Sequence, residues 1–263
     1  MKKTLRRLLP ITLGMAMLFS TTAFAATTEE AKNVYAQMQA KSQSIADGNT
    51  YCHMDLSMAA DGESMDMALD MNMLYKNINQ PEKMEMMCQY SISSEGAQMP
   101  MMLWYKDGYY YTQFMDQKMK TKTDVVSAMN AAMDPLQLAK SVDYFSDLDV
   151  KVEGDKYILS YKMDDTKIND MITQVFSQMG LGSLTSSGMA LNIHDITGDY
   201  TINSDFSYEK ATISMVMDMT AQGSTLSMNL KGDISQLNPG QPVEIMFPDF
   251  SGYEEVDTAQ NAA

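Results

Sequence analysis

Sulfur is the most obvious source of chemistry in this chain. Met84-Glu85-Met86-Met87 and Met99-Pro100-Met101-Met102 carry paired thioethers, and with Cys88, Cys52 and His53 they could supply a soft metal site. On an extended chain Met-x-Met aims two sulfurs to one side, and such soft donors select Cu(I). His53, however, has the opposite parity to Cys52 and Met54 and points away from them. The acidic run from Asp164 to Asp170 has the carboxylate density of a calcium loop but lacks its glycine and closing glutamate, and helix capping accounts for it. Only His53 and His194 could serve as bases near neutral pH, and neither has a nucleophile in its sequence context. There is no Gly-x-Ser-x-Gly elbow, His-Glu-x-x-His, glycine-rich phosphate loop or Cys-x-x-Cys. The expectation is a protein that is not an enzyme and needs no cofactor or metal.

The methionines follow a different logic. There are 29 of them, and they outnumber leucine, so methionine is the main apolar residue here. Met65, Met67, Leu69, Met71 and Met73 form one row at every second position, and Met215, Met217 and Met219 form another. A period of two places side chains on one face of a strand, while Asp66, Asp70, Asn72 and Asp218 take the other face and meet water. The candidate ligand-binding residues are Met58, Met65, Met67, Met71, Met84, Met86, Met215, Met217, Met219 and Met228. Two readings of this lining stay open: a core filled by helices, or a space for an apolar ligand, which adaptable thioethers would suit.

The elements that must position these rows can be read off the pattern. A first helix is expected from about residue 28 to 46, with a capping box in Thr27-Thr28-Glu29-Glu30, Gly48 as its stop, and Val34, Tyr35, Met38, Ser42 and Ile45 on one face. A meander follows near 50–60, 63–75, 83–94, 99–106, 109–115 and 117–121, with Asp107-Gly108 suited to a type I′ turn. Two short helices, about 124–132 and from Pro135 onward, precede a hairpin of 148–153 with 156–163. Ile168, Met171, Ile172, Val175, Phe176 and Met179 then fit a helix capped by Asp164 or Asp165 and stopped by Gly180. After a Ser/Gly-rich loop at 180–188 come three strands near 189–203, 207–221 and 224–235. Residues 54–69 and 215–230 echo each other as hairpins, which reads as a duplication.

The hairpin register bears on the two cysteines. With turns near Asp61-Gly62 and Asn79-Gln80, Cys52 lies opposite Met71, and Met71 opposite Cys88. The thiols then sit two strands apart, on the order of 9.5 Å, beyond the ~7 Å that a disulfide spans. Free, inward thiols are expected.

The ends and the charge bound the setting. Residues 1–25 read as an export signal: Lys2, Lys3, Arg6 and Arg7, an apolar stretch over 8–19, and Ala23-Phe24-Ala25 before cleavage near Ala25-Ala26. No cysteine follows that site, so a secreted chain without a lipid anchor is expected, and no later apolar run is long enough to span a membrane. The net charge of −15 becomes more negative once the basic leader is removed, which argues against nucleic acid and anionic membrane surfaces as partners. One domain is expected over 26–247, with a disordered tail over 248–263 that frays after Tyr253.

The first helix running into Tyr51-Cys52-His53-Met54-Asp55-Leu56-Ser57-Met58, the hairpin from Trp104 to Tyr111 followed by Lys118-Met119-Lys120, and the closing run 243–247 carry a likeness. The chain resembles the LolA/LppX-like half-barrel superfamily and, within it, a group of exported Gram-positive half-barrel proteins. The resemblance covers nearly the whole mature chain and implies an α+β fold: an open antiparallel β half-barrel of about eleven strands wrapped around several α-helices. It also implies a space between sheet and helices of the kind that relatives use to hold acyl chains or sense lipoproteins. The expected function is an exported, non-catalytic binding protein for an apolar small molecule or acyl chain, with helices at 124–146 and 165–179 as a lid. A methionine-rich Cu(I)-binding protein and an envelope interaction or sensing module, with a protein partner and a filled core, are the alternatives.

Overall fold

The computed structural model describes residues 28–60, 63–94, 96–122, 142–178, 190–221 and 224–256, with side chains of the second helix described as far as Thr173. Within these lie helix α1 (Glu29–Ser44), strands β1 (Gly48–Ala60), β2 (Glu63–Lys76), β3 (Glu85–Ser94), β4 (Ala97–Lys106), β5 (Tyr109–Phe114) and β6 (Gln117–Lys122), then β7 (Phe145–Glu153), β8 (Lys156–Met163), helix α2 (Asp165–Gln178), β9 (Ala190–Ile202), β10 (Tyr208–Ala221), β11 (Ser224–Leu237) and β12 (Glu254–Glu255). The strands form one open sheet in the order β12-β6-β5-β4-β3-β2-β1-β11-β10-β9-β8-β7. All pairings are antiparallel except β12 with β6. This is the expected half-barrel, with β12 as a strand beyond the expected eleven.

Period-two alternation gives each strand one apolar side. On β1, Cys52, Met54, Leu56 and Met58 are buried while Tyr51, Asp55 and Ser57 are exposed. The buried side packs with Ala31, Val34, Tyr35 and Met38 of α1 and Ile168, Met171 and Ile172 of α2 in one continuous core. That helix-bearing side is the inner face. Asp107 and Gly108 both take positive φ, 51° and 81°, as a type I′ hairpin needs.

Four expectations change in detail. The cap of α1 is Thr28, whose Oγ1 accepts a hydrogen bond from the Ala31 amide at 3.0 Å. Position N3 is therefore alanine, and the reciprocal capping box does not form. The helix ends at Ser44 with Ile45 as its cap, and Gly48 instead opens β1 beneath the Tyr75 ring. The register of β1 with β2 is as expected, Cys52 opposite Met71, but Cys88 lies opposite Met73, and Met71 opposite Tyr90. A 3₁₀ turn at Pro81–Lys83 lengthens that connection and shifts the pairing by two residues. Both cysteines are free and buried.

The fourth change concerns the tail. Residues 243–256 run as a strap across the outer face of β4 to β6. Trp104 Nε1 donates to the Met246 carbonyl at 3.3 Å. The Phe250 ring stacks on Tyr111 with centroids 3.7 Å apart, and Tyr253 meets Tyr111 edge-on at 5.6 Å. Lys106 and Lys118 lie over the Phe247 and Tyr253 rings. The strap ends as β12, and the Val256 amide donates to Lys120 O at 2.9 Å. Fraying after Tyr253 is thus not seen as far as Val256. The leader, the helices expected at 124–132 and from Pro135, the 180–188 loop and the Asp61-Gly62 turn lie outside the described residues. Among the described residues no helix is long and apolar enough to cross a membrane.

Candidate functional site

The inner face at the centre of the sheet is a ladder of cross-strand rungs running from β2 through β1 and β11 to β10. One rung is Met65, Met58, Met228 and Met217; the next is Met67, Leu56, Leu230 and Met215. Below them come Leu69, Met54, Gly232 and Ile213, then Met71, Cys52, Ile234 and Ala211. Directly opposed side chains in a sheet are close enough to interact, so the thioethers and the aliphatic side chains between them form one continuous apolar surface. The echo between 54–69 and 215–230 appears here as equivalent pairing: Met54 faces Leu69, and Met215 faces Leu230. In the third rung Gly232 is a notch. A Cβ there would come within 2.6 Å of Ile213 Cγ2 and 3.1 Å of Met54 Cγ, so both neighbours fill the space that glycine leaves.

Burial along this ladder is graded. At the root, where α1 crosses, Cys52, Met54 and Met71 are sealed at 0%, 1% and 1% exposure. Toward the hairpin tips, Met65, Met67, Ile92, Leu191 and Leu226 are only partly buried, while Met58, Met217, Met219 and Met228 beside them stay buried. Of the methionines singled out in the sequence, Met58, Met65, Met67, Met71, Met215, Met217, Met219 and Met228 share this one cluster. Met84 and Met86 do not join it: they pack with Tyr105, Ile78 and Tyr110 in a separate cluster. They have the right parity, but they sit lateral to the ladder, where β3 meets β4.

Sequence reasoning missed the polar floor at the root. Tyr35, Tyr75, Tyr200 and Tyr208 gather under α1, with the Tyr35 hydroxyl accepting from Gln39 Nε2 at 3.0 Å. Tyr75 is hydrogen-bonded to Thr50 and Tyr208 to Gln236. Burial raises all three of Tyr35, Tyr75 and Tyr208 above the ordinary phenol value, so they remain neutral. The Gln236 Oε1 atom is enclosed without a hydrogen-bond partner. Burial likewise pushes Cys52 up to about 12 and Cys88 up to about 11, which keeps both thiols protonated. The parity of Tyr208 could not be counted from sequence because the pairing of β10 with β9 shifts register between Tyr208 and Lys210 and again between Ser214 and Val216.

The outer face is a different surface. His53 Nδ1 lies 2.8 Å from Asp70 and Nε2 3.5 Å from Asp55, and the Tyr51 hydroxyl donates to the same Asp70 at 2.6 Å. His194 is held by Asp195 at 2.8 Å and Asp218 at 3.1 Å. These carboxylates raise both imidazoles above the ordinary histidine value. A shallow groove of about 290 Å³ beside His53 is lined by Asp55, Asp199, Lys231 and Asp233. Among the described residues no group of three or more His, Cys, Asp or Glu side chains is arranged to hold a metal ion.

The profile of a family described as "Family of unknown function (DUF6612)" matches residues 30–249. The chain belongs to this family. The match runs from α1 into the strap and so takes in the whole ladder. No curated protein matches the sequence. Among solved structures, LprF from Mycobacterium bovis is similar with 12% identity and a TM-score of 0.42, covering 85% of this chain and 99% of its own. A LolA superfamily protein from Nitrosomonas europaea has 10% identity and a TM-score of 0.25, with 86% and 100% covered. A DUF1329 family protein from Desulfovibrio piger has 12% identity and a TM-score of 0.26, with 86% and 98% covered.

Proposed function

We propose that this protein is an exported, non-catalytic binding protein that holds an apolar molecule of the acyl-chain class against the methionine ladder. One observation carries the reading: Cys52, Met54 and Met71 at the root of the ladder are sealed, whereas at the tip end Met65, Met67 and Leu226 stay only partly buried beside the buried Met58, Met217 and Met228. A core that served packing alone would gain by closing that end. Burying apolar surface contributes roughly 25 cal/mol per Å², so a chain laid along the rungs needs no polar anchor to bind. Thioethers repack around chains of different shape at little cost. The outer-face histidines stand three strands apart, and the ion pairs of each are with carboxylates.

Native mass spectrometry of protein purified from its own host tests this, together with uptake of an uncharged naphthylamine dye. A lipid-sized adduct and a rise in dye fluorescence are expected. A clean apo mass with no dye uptake overturns the proposal.

A further inference from the structure

The two faces of the sheet differ in charge more sharply than in hydrophobicity. Every lysine on a described strand lies at an outer position, from Lys76, Lys106 and Lys120 on one wing to Lys151, Lys162 and Lys231 on the other. The lysines of the helices and turns are engaged elsewhere: Lys32 with Glu29, Lys41 with Asp205, Lys83 with Gln80 and Lys167 with Asp164. The strand carboxylates follow the same rule, with Asp55, Asp66, Asp70, Asp218 and Asp233 all outward. The exceptions are Glu254 on the edge strand β12, paired with the inner-parity Met119, and Glu63, an exposed inner-parity residue at the tip of β2, beside the partly open methionines. The inner polar atoms are otherwise neutral: Ser94 and Ser224 near the tips, and Thr50, Tyr75, Tyr208 and Gln236 at the root.

From this partition we infer that the occupant of the inner face is an amphiphile with an uncharged, hydroxyl-bearing head group, and not a free fatty acid or an anionic phospholipid. The inference rests on the binding role proposed for the ladder and adds the ligand's head-group class. An anionic head at the tips meets Glu63 and finds no cation among the described residues; moved inward, it loses its hydration without a partner, which costs several kcal/mol. A cationic head could approach Glu63, but a single exposed carboxylate contributes little, and the floor offers it nothing charged. A hydroxyl head, by contrast, can exchange hydrogen bonds with the neutral hydroxyls of Ser94 and Ser224 at the tips and has no charge to desolvate.

Competition against the bound naphthylamine dye, near neutral pH and below micelle-forming concentrations, tests the assignment with three probes of equal chain length: glycerol monododecanoate, dodecanoate and dodecyltrimethylammonium. The neutral ester should displace dye at least about tenfold more tightly than either ion, about 1.4 kcal/mol. Equal competition by dodecanoate, or preference for the cation, overturns the head-group inference while leaving the binding role intact. Failure to take up dye at all removes the binding role instead. The variant Met65→Lys, at a partly exposed tip position, places a cation on the inner face. It should shift the ratio toward dodecanoate by about tenfold, and an unchanged ratio also overturns the inference.

Discussion

The methionine ladder and the aromatic corner beneath the C-terminal strap are two apolar regions on opposite faces of the sheet. They are made of opposite materials. Under the strap, Trp104, Tyr111, Phe250 and Tyr253 hold fixed ring geometries, from the 15° stack of Phe250 on Tyr111 to the 89° edge contact of Trp104 with Tyr253. Flat rings with few torsions specify one arrangement. The ladder uses unbranched thioethers, each with several torsions, which fill a surface without dictating its contour. The first region therefore fixes where a segment of chain lies, and the second leaves open what shape lies against it. Adaptable lining on one side and rigid fastening on the other is the division of labour expected of a container whose wall must keep its place.

Substitutions can break this contrast. The largest effect is expected at the sealed root: Met54→Ala should destabilise the fold by about 2–5 kcal/mol, read as a lower urea midpoint, whereas Met54→Leu should cost less than about 1.5 kcal/mol. A loss below about 1 kcal/mol for the alanine variant would mean that the root is as loose as the tips. Next, Phe250→Ala removes several ring contacts and should cost about 1–2 kcal/mol. It should also speed hydrogen exchange at the Val256 amide while leaving dye uptake unchanged; loss of uptake would show that strap and ladder are not separate parts.

The smallest effect belongs to the outer face and depends on pH. His53 and His194 are raised above their usual value by their carboxylates, so their contribution is complete below pH 6.5 and is lost as pH rises through the raised values. Asp70 and Asp218 are lowered, chiefly by hydrogen bonds from Tyr51 and Ser227 and then from the histidines. Their contribution is present above the ordinary carboxylate range and fades as pH falls through the lowered values. Thermal stability should therefore peak in weakly acidic solution. The double variant His53→Gln, His194→Gln should flatten the alkaline side of that curve by about 1–2 °C, because the pairs are partly solvated. An unchanged profile would assign these pairs no part in stability.

Much of the wall was legible in the sequence and much of its fastening was not. Alternation at Met65 to Met73 and Met215 to Met219, with glycine-bearing turns such as Asp107-Gly108, sets strand parity and the hairpins directly. The two-residue shift that puts Cys88 opposite Met73 arises because Pro81 can start a 3₁₀ turn or sit in a tight one, and local sequence does not choose. Met84 and Met86 match the ladder in parity but not in place, since parity counts faces and says nothing of lateral distance across a sheet. The strap was hidden for a related reason. The run 243–247 reads along the chain only as a short apolar stretch, and its anchorage, Trp104 Nε1 on the Met246 carbonyl and Lys106 over the Phe247 ring, exists only once the sheet has folded.

The seam between β1 and β11 has a kinetic consequence. It joins Leu56 to Leu230, so the central ladder closes only after almost all of the chain is available. Contacts so distant along the polymer carry a large loop-closure cost and slow the search for the native state. Until the last hairpin emerges, β1 and β2 would present one unmated edge and a sulfur-rich surface to solvent. A nascent or truncated molecule ending before residue 224 should be sticky and dependent on a holding partner, whereas the finished one sheds that need at a single late step.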